Sequence, residues 1–325
     1  MASRCRLAIV SDIHYASAAE QERGRNYETA AIPNPLLRFA VRNYRRIFWL
    51  KDPFDKNYLL DRFIERNPAP DYLIANGDYS CDSRFIGVSD EASYQSAREC
   101  LSKLRQRYGN RLRVNFGDHE LGKVSFFGGN GGMRLSSWRR ATEALGLERF
   151  WRLTLGQYVL MGVVSSLVAL PVFEADTLEE ERAEWQRLRA EHLSEIRQAF
   201  ASIGSGQKVL LFCHDPTALP FLAEEPAVQS KLDQIEQTII GHLHSNLILW
   251  KSKRLAGMPR IRFLGHTAKR LSAALRRAKR WKPFRVRLCP SLAGIELLKD
   301  GGYLTVELDL DGRQPAQFQR HRLPR

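Results

Sequence analysis

The chain has 325 residues, 44% of them hydrophobic and 10% aromatic, which excludes wholesale disorder and suffices for one large α/β domain or two smaller ones. Five scattered cysteines without a C-x-x-C pair exclude a disulfide framework and a zinc–cysteine cluster, and they favour a reducing compartment. The net charge is +14, which favours an anionic partner. The apolar, uncharged stretch at residues 158–173 is too short to span a membrane, and the first apolar run is too short for a signal peptide.

Short apolar runs alternate with helical patterns, which is typical of a layered α/β fold. We predict strands at residues 6–11, 72–75, 112–116, 158–165, 208–213, 237–240, 261–264 and 303–308. Helical spacing predicts helices at residues 36–50, 56–66, 91–107, 136–145, 178–202 and 267–281. The helix at 178–202 is expected to cover the core with a solvated outer face, and His192 and His321 are expected to be exposed. Because no repeat or low-complexity linker interrupts the pattern, one domain over residues 1–325 is the simpler interpretation.

Two segments carry unusual patterns of positive charge. Residues 251–287 contain 14 Lys and Arg and no Asp or Glu, so this segment accounts for the whole charge excess. Residues 29–54 are interpreted as a basic amphipathic insertion, whose helix 36–50 gathers four arginines on one edge of a wide apolar face. Helix 267–281 likewise surrounds an apolar stripe with cations. Both helices fit an anionic membrane surface, or alternatively each apolar stripe packs on the core.

Ionisable side chains follow the ends of five predicted strands. Open α/β sheets place their ligands at the carboxyl ends of strands, so we expect these side chains to converge. In D-x-H and H-x-H, an extended backbone would point both side chains the same way. The residues are Asp12 and His14, Asp78, Asp118 with His119 and Glu120, His214, and finally His242 with His244.

Carboxylates and imidazoles together favour borderline divalent metals such as Mn²⁺, Fe²⁺ or Zn²⁺. The set is larger than one ion needs, and two ions about 3.5–4 Å apart, bridged by one carboxylate, would use all of it. Such a pair lowers the pKa of a shared water and holds the oxygens of a phosphate during in-line attack. A lone histidine after a strand is usually an ordinary loop residue, but the ordered series favours a metal site.

The ordered set D-x-H, G-D, G-D-H-E, H and G-H-x-H resembles the calcineurin-like metallophosphoesterase superfamily and covers residues 12–244. The resemblance implies a metallo-dependent phosphatase fold, an α/β fold with two packed β-sheets flanked by helices, here with basic helical insertions. It also implies a dinuclear centre in which Asp78 bridges the ions and belongs to the catalytic set. By motif, Asp12, His14, Asp78 and His244 would hold one metal, and Asp118, His214 and His242 would hold the other.

His119 would not be a ligand in this family; it would stabilise the phosphoryl oxygen or protonate the leaving group. The chain departs from the family pattern at Asp118, where an Asn is usual. An aspartate adds a full negative charge, so we expect tighter metal retention and weaker polarisation of the bridging water. A changed metal or a damaged site is the alternative.

Other residues are candidate substrate contacts, each with an ordinary structural alternative. Glu120 is expected to orient its neighbours and to lie near substrate, and Asp215 either orients a ligand or caps a helix. The remaining candidates near the mouth of the site are Tyr15, Asn76, His266, Lys269 and Arg270.

We therefore predict a hydrolase that uses two divalent ions, Mn²⁺ in preference to Fe²⁺, Zn²⁺ or Mg²⁺, to cleave a phosphoester or pyrophosphate. The basic helices favour an anionic lipid-linked or nucleotide-linked phosphate at the cytoplasmic face of a membrane. Family members that cleave UDP-2,3-diacylglucosamine in lipid A biosynthesis offer a precedent, although their best-known branch has Arg at the position of His119. The alternatives are a nuclease, a cyclic-nucleotide phosphodiesterase and a non-catalytic metal-binding scaffold.

Overall fold

The computed structural model describes residues 4–24, 26–30, 32–44, 53–67, 69–125, 130–261, 265–293 and 301–323. The strands within these ranges form two sheets. In chain order they are β1 (Arg4–Val10), β2 (Tyr72–Ala75), β3 (Leu112–Val114), β4 (Phe150–Leu155), β5 (Tyr158–Val163), β6 (Lys208–Cys213), β7 (Ile235–Ile240), β8 (Val286–Leu288), β9 (Gly302–Asp309) and β10 (Gln317–Arg322).

Each sheet is mixed. The parallel strands of both sheets end at the same edge of the molecule. The first sheet has the order β10-β9-β1-β2-β3, in which β1, β2 and β3 are parallel and β9 and β10 are antiparallel. In the second sheet, β4-β5-β6-β7-β8, only β4 is antiparallel to its neighbour. Strands β5 and β6 are almost wholly buried apolar runs, which is typical of parallel strands covered on both faces.

The two sheets pack face to face around a shared apolar core. One buried cluster joins Ile9 and Val306 of the first sheet to Leu160 and Phe212 of the second. Removal of this surface from water is the main stabilising contribution to the sandwich. Because the sheets are held in this way, the carboxyl ends of β1, β2 and β3 lie close to those of β6 and β7.

Helices cover the outer faces and connect the strands. Ser93 N–H donates to the side chain of Asp90, which caps α5, and buried Trp185 anchors α9 to the core. In chain order the helices are α1 (Ala18–Glu22), α2 (Tyr27–Ala30), α3 (Pro35–Tyr44), α4 (Tyr58–Arg66), α5 (Glu91–Tyr108), α6 (Leu135–Arg139), α7 (Ser165–Val168), α8 (Leu170–Phe173), α9 (Arg182–Ala201), α10 (Leu219–Leu222), α11 (Pro226–Gln229), α12 (Asn246–Arg254) and α13 (Gly265–Arg277).

Seven of the predicted strands are found within about two residues of their expected bounds, namely β1, β2, β3, β5, β6, β7 and β9. The expected helices correspond to α3, α4, α5, α6, α9 and α13, with a π-helical turn after α6. Parts of two expectations, residues 45–50 and 262–264, lie outside the described residues. The sequence did not predict β4, β8, β10 or α12.

The expectation that His192 is exposed is wrong, because its side chain is fully buried on the inner face of α9. Its Nε2 accepts a hydrogen bond from the backbone N–H of Val164, 3.0 Å away at the end of β5. His321 is half-buried rather than exposed, and its ring stacks on Tyr303. Both rings therefore contribute to packing between elements.

Candidate metal centre

Five strand ends deliver the predicted residues to one place. Asp12 and His14 follow β1, Asp78 follows β2 and Asp118 follows β3, all in the first sheet. His214 follows β6, and His242 and His244 follow β7, in the second sheet. The centre thus lies across the edge where the two sheets meet.

The local backbone at these residues is left-handed, and the extended conformation expected for D-x-H and H-x-H is wrong. Asp12 and His14 have φ of 52° and 45°, and His242 and His244 have φ of 58° and 54°. Asp78 has φ of 60°. Non-glycine residues rarely adopt positive φ, so β1, β2 and β7 each end in a tight, strained turn that aims the side chains inward.

Two glycines allow these turns to approach closely. A Cβ on Gly117 would lie 2.1 Å from Asp78 Oδ1, and a Cβ on Gly241 would lie 2.1 Å from Ser11 Oγ and 2.6 Å from Asp12 Oδ2. These distances are shorter than any van der Waals contact. The G-D and G-H motifs therefore contain glycine because side chains of neighbouring turns occupy the space beside its backbone.

The side chains form two adjacent groups whose ligand atoms lie within 4.8 Å of one another in each group. Asp12, His14, Asp78 and His244 make up the first group, and all four are buried. Asp118, His214 and His242 make up the second. These are the two sets that the resemblance implied.

Asp78 lies between the two groups. Its Oδ2 is 4.0 Å from His14 Nε2 in the first group and 3.2 Å from His214 Nε2 in the second. The Oδ1 of the same carboxylate accepts a hydrogen bond from the backbone N–H of His119 at 3.1 Å. One carboxylate therefore faces both groups, as a bridging ligand must.

Backbone carbonyls determine which nitrogen of each imidazole faces the centre. Ser80 O lies 3.2 Å from Nδ1 of His14 and 2.8 Å from Nδ1 of His119, and Asn76 O lies 2.5 Å from Nδ1 of His214. A carbonyl oxygen can only accept, so each Nδ1 donates its proton. The Nε2 of the neutral ring is then free to bind a cation, the arrangement usual for metal-binding histidines.

Several buried polar atoms of the two groups have no hydrogen-bond partner within the described chain. They are Asp12 Oδ2, His14 Nε2, His214 Nε2 and His244 Nδ1. An unsatisfied buried polar atom costs about 1–3 kcal/mol, so four of them at one point need a compensating ligand. Their chemistry, carboxylate oxygen and imidazole nitrogen, fits divalent transition metals.

The electrostatics of the two groups also favour bound cations. Burial lowers the pKa of His14 and His244, so both rings are neutral. Burial acts against ionisation of Asp118, but His242 and His214 hold the pKa of this carboxyl well below its usual value. Burial likewise acts to lower the pKa of His242, yet Asp118 and Asp215 raise it to about 9. Without metal, a protonated His242 balances part of the carboxylate charge. Two bound divalent ions would supply that positive charge instead.

Three expected substrate contacts, Glu120, Asn76 and Tyr15, are buried by the protein, and their contact with substrate stays a prediction. The Glu120 carboxylate accepts hydrogen bonds from the backbone N–H groups of Asp78, Tyr79 and Gly117, and so orients the bridging residue. Burial raises the pKa of Glu120 to about 8, and these three donors oppose the rise. Asn76 is fully buried and accepts from Asn115, and Tyr15 packs in the core with Lys103 above its ring.

The remaining candidates near the mouth have mixed outcomes. The side chains of His266 and Lys269 lie outside the described part of the structure. Arg270 pairs with Asp176 at 3.2 Å and lies over the ring of Phe173, so it joins α13 to the end of α8. Asp215 caps the short helix after β6 by accepting from Thr217 N–H, and its Oδ2 lies 3.8 Å from His242 Nε2.

Two features near the centre were missed from the sequence. Lys123 Nζ lies 2.8 Å from His119 Nε2. The signal was present, since Lys123 follows His119 by four residues in the same turn-rich block. Helix α12 begins two residues after His244 and exposes Leu247 and Trp250. Its mixed composition gave no clear helical pattern in the sequence.

The family model for calcineurin-like phosphoesterases matches residues 5–246. The chain belongs to this family, which places it in the class of metal-dependent phosphoester hydrolases with a metallo-dependent phosphatase fold. The matched range includes every strand end that contributes to the centre. Family and geometry together indicate a dinuclear metal site.

Solved structures with similar folds include three phosphatases or hydrolases of low sequence identity. A purple acid phosphatase from yellow lupin seeds is 14% identical, with 75% of this chain and 38% of that chain covered and a TM-score of 0.36. A dimetal phosphatase from Danio rerio is 15% identical, covering 73% and 81%, with a TM-score of 0.35. The phosphopantetheinyl hydrolase of Mycobacterium tuberculosis is 15% identical, covering 75% and 84%, with a TM-score of 0.34. No curated protein matches the chain by sequence.

The described helices are all too short or too polar to cross a bilayer.

Proposed function

We propose that the chain is a dinuclear-metal hydrolase that cleaves a phosphoester or pyrophosphate bond. The observation that carries the proposal is the position of Asp78 between two groups of carboxylates and imidazoles with unsatisfied buried atoms. Asp12, His14, Asp78 and His244 would bind one ion, and Asp118, His214 and His242 the other, with Mn²⁺ as the preferred metal. The ions supply an activated water and neutralise phosphate charge.

The protein's own residues orient the reaction. The carbonyls of Ser80 and Asn76 hold the imidazoles, and Glu120 holds the turn of Asp78. His119, whose Nε2 lies 3.8 Å from Asp78 Oδ2, is our candidate for stabilising the phosphoryl oxygen or protonating the leaving group, a role in which Nε2 would carry a proton in addition to the one that Nδ1 donates to Ser80 O. These interactions keep the reacting groups in place before substrate binds.

For the substrate, we propose an anionic lipid-linked or nucleotide-linked phosphate at a membrane surface, similar to UDP-diacylglucosamine in lipid A biosynthesis. The chain would act on the cytoplasmic face as a peripheral protein. In this proposal residues 1–325 are one domain, with residues 29–54 and 251–287 as basic insertions near the site.

Helix α3 supports the membrane part of the proposal. Leu36, Phe39 and Tyr44 are 79%, 67% and 55% exposed, and no residue of the helix is buried. Arg38 donates to Ile32 O, and Arg42 donates to the side chain of Asn26, so both arginines turn back toward the protein. The apolar face of α3 therefore points outward, and packing on the core does not explain it.

Helix α12 adds a second exposed apolar face close to the centre. Leu247 and Trp250 are 54% and 52% exposed, and the Arg254 guanidinium lies over the Trp250 ring. An amphipathic Trp beside cations suits the headgroup region of an anionic bilayer. Helix α13 is mixed, because Leu275 is buried while Leu271 is 56% exposed beside the exposed Arg276 and Arg277.

The reaction is tested by hydrolysis of bis-p-nitrophenyl phosphate and p-nitrophenyl phosphate by Mn²⁺-loaded protein. We expect activity that EDTA abolishes and that His119→Ala lowers by about 10²- to 10⁴-fold. His321→Ala, which removes a half-buried ring on β10 at the far edge of the first sheet, is the matched control and should remain active. Equal, negligible turnover of all three proteins would instead support a metal-binding scaffold.

The surface is tested by co-sedimentation with vesicles that contain roughly 30% phosphatidylglycerol, against neutral vesicles. The double variant Phe39→Ser/Trp250→Ser should bind the anionic vesicles at least about tenfold more weakly than wild type. Each substitution removes an exposed aromatic side chain that would be buried in the bilayer on binding. Leu178→Ser is the matched control, because Leu178 is 37% exposed and lies outside these helices. Tighter, salt-dependent binding to a single-stranded oligonucleotide would favour the nuclease alternative. Rapid turnover of cyclic nucleotides without binding to vesicles would favour the phosphodiesterase alternative.

A further inference from the structure

Lys123 carries a positive charge beside the metal centre that the proposed ligand set does not use. Its Nζ lies 2.8 Å from His119 Nε2 and 3.3 Å from the carbonyl oxygen of Cys81, and it lies over the ring of Phe85. None of these contacts is an ion pair. Burial raises the pKa of the Asp82 carboxyl, and the charge of Lys123 opposes that rise. By comparison, the partly exposed Lys103 pairs directly with Asp61 at 2.6 Å.

The hydrogen bonds of His119 explain why the ammonium is held there. Nδ1 of the ring donates to Ser80 O, so the neutral ring offers only an acceptor at Nε2. Lys123 fills that acceptor with an N–H. The same Nε2 is 3.8 Å from Asp78 Oδ2. The Lys123 ammonium therefore contacts a ring that itself lies next to the bridging carboxylate.

The backbone around Lys123 fixes the start of its side chain. Its backbone N–H donates to Asp82 Oδ2 at 3.3 Å, and the buried Asp82 in turn accepts from Gly87 N–H. The preceding residue, Gly122, has a φ of 109°. A lysine side chain on this fixed base can move from a ring nitrogen to a substrate oxygen by rotation of its own bonds.

We propose that Lys123 is a substrate-binding residue that turns from His119 Nε2 to a non-bridging phosphate oxygen and favours doubly charged phosphates. The inference rests on the proposed hydrolase function, and among the proposed substrates it selects a terminal phosphomonoester over an internal pyrophosphate such as that of UDP-diacylglucosamine. A terminal phosphomonoester carries about two negative charges near neutral pH, and a diester carries one. An additional ammonium at the phosphate therefore stabilises the bound monoester more than the diester.

The experiment compares kcat/KM for p-nitrophenyl phosphate and bis-p-nitrophenyl phosphate in wild type, Lys123→Met and Lys123→Arg, all loaded with Mn²⁺. We expect Lys123→Met to lower the monoester value by roughly 10- to 100-fold and the diester value by much less. Lys123→Arg should restore most of the monoester preference, because it keeps the charge. Inhibition by inorganic phosphate should weaken by about tenfold in Lys123→Met and recover in Lys123→Arg.

Lys231→Met is the matched control, because it also removes one charge and one lysine-to-carbonyl hydrogen bond, from Nζ to Ile203 O. Lys231 precedes β7, at the strand end opposite His242, and both kcat/KM values should be unchanged. If Lys123 had a purely structural role, Lys123→Met would lower kcat/KM for both substrates equally and leave inhibition by phosphate unchanged. That result would overturn the inference. Absence of turnover in wild type would overturn the proposed function instead.

Discussion

Asp118 places a third carboxylate at the centre, where the family usually has an asparagine. Its Oδ1 lies 2.8 Å from His242 Nδ1 and 3.4 Å from His214 Nε2. With Asp12 and Asp78, three carboxylates would face two divalent ions and leave a formal charge of +1. The added charge strengthens the attraction for both ions, and it reduces the positive field acting on the attacking water.

For Asp118→Asn we therefore expect weaker metal retention together with a kcat equal to or above that of wild type. Loss of one charge at a metal ligand should raise the dissociation constant for Mn²⁺ by roughly tenfold or more. The measurement is the metal-to-protein ratio after dialysis against a graded chelator, with kcat determined at saturating Mn²⁺. Metal content and activity that both match wild type would remove any special role for the aspartate.

Among the elements, α9 is tied to the second sheet through a buried histidine. His192 accepts from Val164 N–H, and its Nδ1 lies 3.6 Å from Glu195 Oε2 on the same helix, which Arg149 also contacts. Burial lowers the pKa of His192 below the usual 6.5, although Glu195 opposes the change. As the pH falls below about 6.5, the unfolded chain binds a proton that the folded chain excludes, so the stability present above that pH is lost.

We expect the free energy of unfolding to decrease between pH 6.5 and 5 more steeply in wild type than in His192→Gln. One excluded proton contributes up to about 1.4 kcal/mol per pH unit, and Gln can accept from Val164 N–H without titrating. Urea unfolding of both proteins at several pH values, with metal absent from both, measures the difference. Parallel pH profiles would show that His192 does not titrate on unfolding.

The elements that could be read from the sequence are those whose pattern is set by burial. Strands β5 and β6 are continuous apolar runs because both of their faces are covered. Strand β10, which reads QFQRHR, lies at a sheet edge with mostly exposed side chains, so nothing in its composition marks it. His192 could have been assigned correctly, since it lies four residues from both Leu188 and Ile196 on the buried face of α9.

At the centre, residue identity could be predicted from the sequence but conformation could not. The resemblance to the calcineurin-like family implied the two ligand groups, yet an extended backbone was expected where the chain has positive φ. Positive φ at Asp or His depends on contacts between turns that are far apart in sequence, such as His242 N–H with Asp12 Oδ1 at 2.9 Å. The position of the Lys123 ammonium beside His119 likewise cannot be inferred until the partners in space are known.

On the scale of the whole molecule, the candidate metal centre joins the two sheets. Asp12, Asp78 and Asp118 extend from the first sheet, and His214, His242 and His244 from the second. Ions bound to both sets would connect layers that otherwise meet through apolar packing. Since the unfolded chain cannot assemble these ligands, metal binding should stabilise the folded state.

We expect saturating Mn²⁺ to raise the midpoint of thermal unfolding by roughly 5 °C or more relative to protein in chelator. A ligand at 100 times its dissociation constant contributes about 2.7 kcal/mol per site. His214→Ala should respond much less, because it removes a ligand that also contacts Asp78. Equal midpoints for wild type with Mn²⁺ and with chelator would contradict a site that spans the sheets.

The left-handed turns at Asp12, His14, Asp78, His242 and His244 have an evolutionary consequence. Glycine would relax each of these turns, and in the metal-free protein this gain offsets part of the cost of losing contacts such as that of Asp12 Oδ1 with His242 N–H. Selection for fold alone would then preserve these five side chains only weakly. In a lineage released from the need to process its substrate, they should be among the first to drift, while the apolar interior between the sheets persists.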